Sequence, residues 1–195
     1  MARPRSFNCD EVLLAAMKVF WRQGYEASSM ADLMAATGLS KSSLYGAFGS
    51  KHGLFLAAFE AYRDERRRVL HDLLAQGPTA FEAIAAFFHK TVAHALQGDR
   101  PFGCMSCNEA VELGPHDADV QRLVESDFQN IEEAFAAALA RGRADGSIRP
   151  GDDRARARFM TVLVVGMHTM IRARVASVVL EDAVRMLLDS LAPPS

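Results

Sequence analysis

Between Ser28 and Lys51 the chain is punctuated so densely that only short helices fit. Serines able to cap a helix stand at Ser28 or Ser29, at Ser40 and at Ser50, and glycines able to close one stand at Gly38 and Gly49. A hydroxyl just before a helix accepts a hydrogen bond from a free N–H of its first turn. A glycine just past the last turn takes the left-handed conformation without steric cost. One short helix then carries Met30, Leu33 and Met34, and a tight turn follows at Thr37-Gly38-Leu39. A second short helix runs from about Lys41 to Phe48, and a long one opens at Lys51. Leu44 and Phe48, four apart, are placed to pack inward. Lys41, Ser42, Ser43, Tyr45 and Gly46 are left facing outward, with no acid among them. Two short helices joined by a tight glycine turn form the helix-turn-helix arrangement, whose second helix fits the major groove of DNA.

The rest of the sequence is also helical in pattern, without period-two alternation between turn residues. Asn8 and Glu11 make a capping-box pattern at the start, followed by an apolar face of Leu13, Ala16, Met17 and Phe20 and a stop at Gly24. Further breaks fall at 76–78, 98–101, 113–117, 144–153 and near Ser177, giving about nine helices. The expected fold class is all-α: an N-terminal three-helix helix-turn-helix domain over residues 1–50 and a C-terminal helical bundle over 51–195.

Half of the 195 residues are hydrophobic and 24% are charged, the profile of a globular protein with a real core. No apolar run reaches the roughly 18 residues a bilayer demands, so no membrane partner is expected. Asp10 and Glu11 interrupt the start of the chain, which argues against a signal peptide. Three cysteines, Cys9, Cys104 and Cys107, are too few for a disulfide scaffold and fit a reducing cytoplasm. Residues 1–70 carry 10 Lys and Arg against 7 Asp and Glu, while residues 71–195 carry 12 against 17. The basic front is the half suited to a polyanion.

The stretch "GYEASSMADLMAATGLSKSSLYGAFGSKHGLF" closely resembles the N-terminal signature of the TetR/AcrR family of bacterial one-component transcriptional regulators. Phe20, Gly24, Tyr25, Ser28, Leu33, Ala36, Gly38, Leu39, Ser40, Leu44, Tyr45, Phe48, Lys51 and Leu54 carry the likeness. The opening "RPRSFN" is similar to the arm that precedes the first helix in that family. The resemblance implies that Lys41, Tyr45 and Lys51 contact phosphates and that Ser42, Ser43 and Gly46 lie against base edges or backbone, with Ser29 also in the DNA-binding set. Gly46-Ala47 stands where many members carry a larger pair. A recognition helix so poor in side chains offers little bidentate base readout, and shifts specificity toward Lys41, the serines, the Arg3/Arg5 arm and DNA shape.

By the same resemblance, the second domain binds a small effector and forms a homodimer, and the protein is a ligand-responsive regulator, by family habit a repressor. "FGCMSCNEAVELGPHD" is similar to a stretch in some AcrR-like members, placing Cys104, Cys107 and Asn108 on the helix that links pocket to DNA-binding domain. The pocket candidates are Phe88, Cys104, Met105, Asn108, Phe128 and Met167. A dimer stripe is expected from Phe159, Leu163, Gly166, Met167 and Met170, together with Val184, Leu187, Leu188 and Leu191. Cys104 and Cys107, three apart on one helix face, admit two readings: a thiol sensor of electrophiles or oxidants, or two small buried apolar residues. Cys-x-x-Cys with only the scattered His94 and His116 does not make a zinc site, so no metal or cofactor is expected. No Ser/His/Asp set or Gly-rich phosphate loop appears, and Glu109 and Glu112 have no partner histidine, so no enzyme is expected. A DNA-silent helical adaptor is the alternative from another class.

Overall fold

The computed structural model describes residues 7–95 and 102–193, and these form nine helices and no strand. In chain order they are α1 (Cys9–Gln23), α2 (Met30–Thr37), α3 (Lys41–Phe48), α4 (Lys51–Ala75), α5 (Ala80–Ala95), α6 (Met105–Glu112), α7 (Ala118–Ala144), α8 (Asp153–Arg172) and α9 (Ser177–Leu191). The Arg3/Arg5 arm, the break at 98–101 and the side chain of His94 lie outside the described residues.

The caps follow the local chemistry. Ser29, not Ser28, opens α2: its hydroxyl accepts from the Asp32 N–H, and the Asp32 carboxylate accepts from the Ser29 N–H. Ser28 is instead buried, its hydroxyl donating to the Gly24 carbonyl at 2.5 Å. Ser40 and Ser50 cap α3 and α4 through the N–H groups of Ser43 and Gly53. Gly38 closes α2 at φ 69°, the left-handed region. At α1 the expected capping box is only half made. Asn8 accepts from the Asp10 N–H at 3.0 Å, but Glu11 takes the Asn8 side-chain amide rather than its backbone.

Two apolar cores result. The first gathers Val12, Ala16, Val19 and Phe20 of α1, Leu33, Leu44, and Leu54, Phe55, Ala58, Phe59 and Tyr62 of α4. Cys104, Met105, Cys107 and Leu113 from the α6 region and Val120 and Val124 from α7 complete it. The buried stripe of α1 thus runs through Val12 and Val19, with the expected Leu13 and Met17 half-buried at its edge. The second core joins the end of α4 to α5, the latter part of α7, α8 and α9. Helices α4 and α7, 25 and 27 residues long, pass from one core to the other. Apolar packing therefore continues across the expected boundary near residue 50. Phe20, Phe55, Phe59, Phe88 and Phe135 are fully buried, and truncating any one to alanine costs roughly 3–5 kcal/mol.

Helices α8 and α9 correct the expected dimer stripe. Val184, Leu187 and Leu191 are buried inside this chain, as is Met167, because α9 must close the second core against α5. What faces outward is Phe159, Val162, Gly166 and Met170 on α8, with Val178, Val179 and Met186 on α9. Val162 is 71% and Met186 65% exposed, and an apolar face of this kind marks an interaction surface. Among the described residues no helix is long and apolar enough to cross a membrane.

One buried polar group stands out. Glu109 of α6 is 1% exposed, and neither carboxylate oxygen has a hydrogen-bond partner. Burial pushes its carboxyl up to about 8, Glu112 adding to the rise and Arg172 opposing it. Between the ordinary carboxyl value and about 8 the folded chain holds a proton that the unfolded chain has lost. Stability should therefore fall as pH rises through that window. Urea unfolding at pH ~5.5 and ~8 should show the fall, and Glu109→Gln should remove most of it; an unchanged slope in the variant refutes the assignment.

Candidate DNA interface and effector cavity

Helix α3 is held by Leu44, 1% exposed, which packs into the first core with the half-buried Phe48 beside it. That anchoring turns Lys41, Ser42, Ser43, Tyr45 and Gly46 outward. The three serines form a small network at the start of the helix: Ser40 Oγ lies 3.0 Å from Ser42 Oγ and 2.9 Å from Ser43 Oγ. Lys41 reaches over the Tyr45 ring, its Nζ 5.6 Å from the centroid. A Cβ added at Gly46 would meet nothing within 4 Å. The glycine in mid-helix costs stability, and no packing within the chain requires it. Ser29 sits exposed at the start of α2, its hydroxyl donating to Asp32. That hydrogen bond, with the Ser29 N–H, draws the Asp32 carboxyl below the usual range.

Lys51 is placed differently from the rest. Its ammonium donates to the Tyr25 carbonyl at 2.6 Å and lies 4.2 Å from the Tyr25 ring centroid. It ties the start of α4 to the α1–α2 turn.

Helix α6 grips that same turn through Glu112. Glu112 accepts from the Glu26 N–H at 2.9 Å, and a side chain at Gly24, which has φ 87°, would collide with the Glu112 carboxylate. Just beyond α6, Asp117 caps α7 and pairs with His52 of α4 at 2.6 Å. At the other end of α6, the Tyr62 hydroxyl donates to Cys104 Sγ at 3.4 Å and accepts from the Met105 N–H at 3.1 Å. The Trp21 ring stacks edgewise on Tyr62 at 5.2 Å and on Phe102 at 6.0 Å. The resemblance placed this helix as the link between pocket and DNA-binding domain, but the contacts of Glu112, Asp117 and Gly24 that make the clasp were not legible in the sequence.

A cavity opens behind α6. Its inner part, about 40 Å³, is lined by Arg66, Leu70, Phe87, Cys104, Cys107, Asp127, Phe128, Val164 and His168. An outer part of about 170 Å³ shares Arg66, Leu70, Phe87 and His168 and adds Val69, Leu73, Lys90 and Thr91. Of the sequence candidates, Cys104 and Phe128 line it. Phe88, Met105 and Met167 are instead fully buried in the packing, and the Asn108 amide donates to the Phe102 carbonyl at 3.1 Å. Arg66 and His168 went unrecognised as lining groups because a charge on α4 reads as solvated surface and a histidine beside an apolar stripe reads as a structural or rim residue. Phe87 and Thr91 belong to an apolar face of α5 that the periodicity does reveal.

The two thiols are not equivalent. A hydrogen bond from the Cys107 side chain lowers the Cys104 thiol well below its ordinary value; burial opposes this, and His168 and the Tyr62 hydroxyl assist it. Cys107 is pushed far up by the same hydrogen bond and by burial. Among the described residues no three His, Cys, Asp or Glu side chains are grouped to hold a metal.

Known proteins carry the same layout. The family model for "Bacterial regulatory proteins, tetR family" matches residues 12–58, and that for "Tetracyclin repressor-like, C-terminal domain" matches residues 80–187. The chain is 34% identical over 173 residues to the HTH-type transcriptional repressor ComR of Escherichia coli K12, covering 87% of this chain and 82% of ComR. It superposes with a TM-score of 0.84 and 33% identity on a cysteine mutant of the TetR-family regulator CifR, solved with a 26 bp double-strand operator, over 96% of this chain and 99% of that one. Reduced NemR of Escherichia coli shares the fold at a TM-score of 0.86 and 22% identity, over 95% and 98% of the two chains. With both halves matched and an operator-bound neighbour superposing over nearly its full length, the chain belongs to the TetR family of bacterial DNA-binding transcriptional regulators.

Proposed function

We propose that the chain is a homodimeric repressor, working in the cytoplasm and not as an enzyme, that leaves its operator when a small molecule enters the cavity behind α6. Two copies of α3, about one DNA turn apart, engage a roughly palindromic site. Lys41, Tyr45 and Lys51 contact phosphates, Ser29 approaches the backbone, and Ser42, Ser43 and Gly46 lie along the groove floor. The outward apolar face of α8 and α9 joins the two copies. DNA-bound relatives and the exposed donors of α3 support this reading.

The observation that carries the ligand response is the clasp of α6. One helix lines the cavity through Cys104 and Cys107 and holds the α1–α2 turn through Glu112. A ligand that favours a shifted α6 favours a different angle between the two recognition helices. It withdraws the protein from DNA in proportion to that preference.

A second reading rests on the position of the Cys104 thiol, in the cavity wall and 3.4 Å from the Tyr62 hydroxyl. Alkylation of Cys104 adds bulk where only about 40 Å³ is open, and this displaces α6 as a ligand does. Modification by iodoacetamide should then release the operator in the native chain and not in Cys104→Ser. Equal operator affinity before and after complete alkylation rejects the thiol route and leaves the ligand route standing.

Binding to the upstream DNA of its own gene should weaken steeply with salt. Lys41→Ala should weaken it on every sequence alike and reduce the salt slope by about 1; an unaltered slope removes Lys41 from the phosphate set. Gly46→Ala should stabilise the free protein by up to ~1 kcal/mol while lowering operator affinity, as measured by thermal melting beside a shift assay. A DNA-silent adaptor shows the first effect without the second.

A further inference from the structure

From the charges around the cavity we infer that the effector is a small organic anion, a carboxylate with an apolar body of about one aromatic ring, whose head is held by Arg66. This inference rests on the ligand-responsive reading above.

Arg66 lines both parts of the cavity. Among the described residues its guanidinium has no hydrogen bond and no ion pair; Asp127, Cys107 and Tyr62 sense its charge only at longer range. Of the neighbouring arginines, Arg67 is 2.8 Å from Asp64, and Arg63 faces Asp127 at 3.8 Å with its buried Nε unbonded. A fork of donors left open beside an apolar hollow matches a carboxylate, which accepts two parallel N–H bonds from a guanidinium.

The sign of the surroundings points the same way. Arg66, Arg67, Lys90 and His168 stand around the two parts, against one carboxyl, Asp127. Asp127 is 6% exposed, has Arg63 beside it, and is held above the usual carboxylate range by burial. With Arg67 paired to Asp64 and Asp127 faced by Arg63, a cationic ligand would meet the fixed charges of Arg66 and Lys90. An anion meets a matching field.

Size sets the body. The outer part offers about 170 Å³ between Val69, Leu70, Leu73 and Phe87, and an apolar cavity of about 150 Å³ takes benzene. A ring or a short alkyl chain fits there, with its carboxylate toward Arg66 and the start of α6.

The test is a matched panel of benzoate, phenylacetate, hexanoate and octanoate against their primary amides, read by calorimetry without DNA and by operator release. At least one acid should bind the native chain roughly tenfold tighter than its amide and release the operator at the corresponding concentration. Arg66→Lys should keep the preference and Arg66→Gln should abolish it. Amides that bind as well as acids, a panel with no binding member, or an unchanged preference in Arg66→Gln each overturns the inference. Operator binding of the unliganded chain, recorded in the same titrations, judges the regulator reading separately. Acid binding in the calorimeter without operator release retains the site and refutes its role as the effector site.

Discussion

Three short helices and the head of a fourth cannot bury enough apolar surface to stand firmly alone, and here they are completed from elsewhere in the chain. Cys104, Met105, Cys107 and Leu113 enter the same core as Phe20, Leu44 and Phe55. Everything else follows from that borrowing. Leu44 fixes the exposed face of α3 only while its core is closed, and the core is closed by the helix that also lines the cavity. Core packing behaves as discrete arrangements rather than a continuous spring, which is the basis on which the proposed mechanism carries a change at the cavity wall to the α1–α2 turn.

The polar contacts give that coupling direction. Glu112 reaches the Glu26 N–H, Asp117 pairs with His52, and the Tyr62 hydroxyl bridges Cys104 and the Met105 N–H. Each joins a different part of the α6 region to the first core. Glu109, buried on the same helix without a partner, makes its seat responsive to protonation. The long helices α4 and α7 keep the two cores in register. Helix α6, eight residues long, is short but buries Met105, Ser106, Cys107 and Glu109.

Much of this was readable from residue order. Cap serines and left-handed glycines fix helix ends through local chemistry, so α2, α3 and the start of α4 could be placed nearly to the residue, and the outward set on α3 followed from the inward Leu44. Where long-range packing decides, the reading slipped. The apolar residues of α9 were expected to face a partner copy, and the placement of α5 turns Val184, Leu187 and Leu191 inward instead. Phe88, Met105 and Met167 looked like pocket walls because aromatic and thioether side chains serve both purposes. Arg66 was hidden for the opposite reason: a charge on α4 reads as solvated surface until α5 and α8 are set beside it.

The lone tryptophan of the chain, Trp21, lies between Tyr62 and Phe102, and its indole N–H is buried without a partner. Its emission colour depends on whether that nitrogen stays dry. The protein thus carries a built-in optical gauge at the joint between its halves, legible without any label.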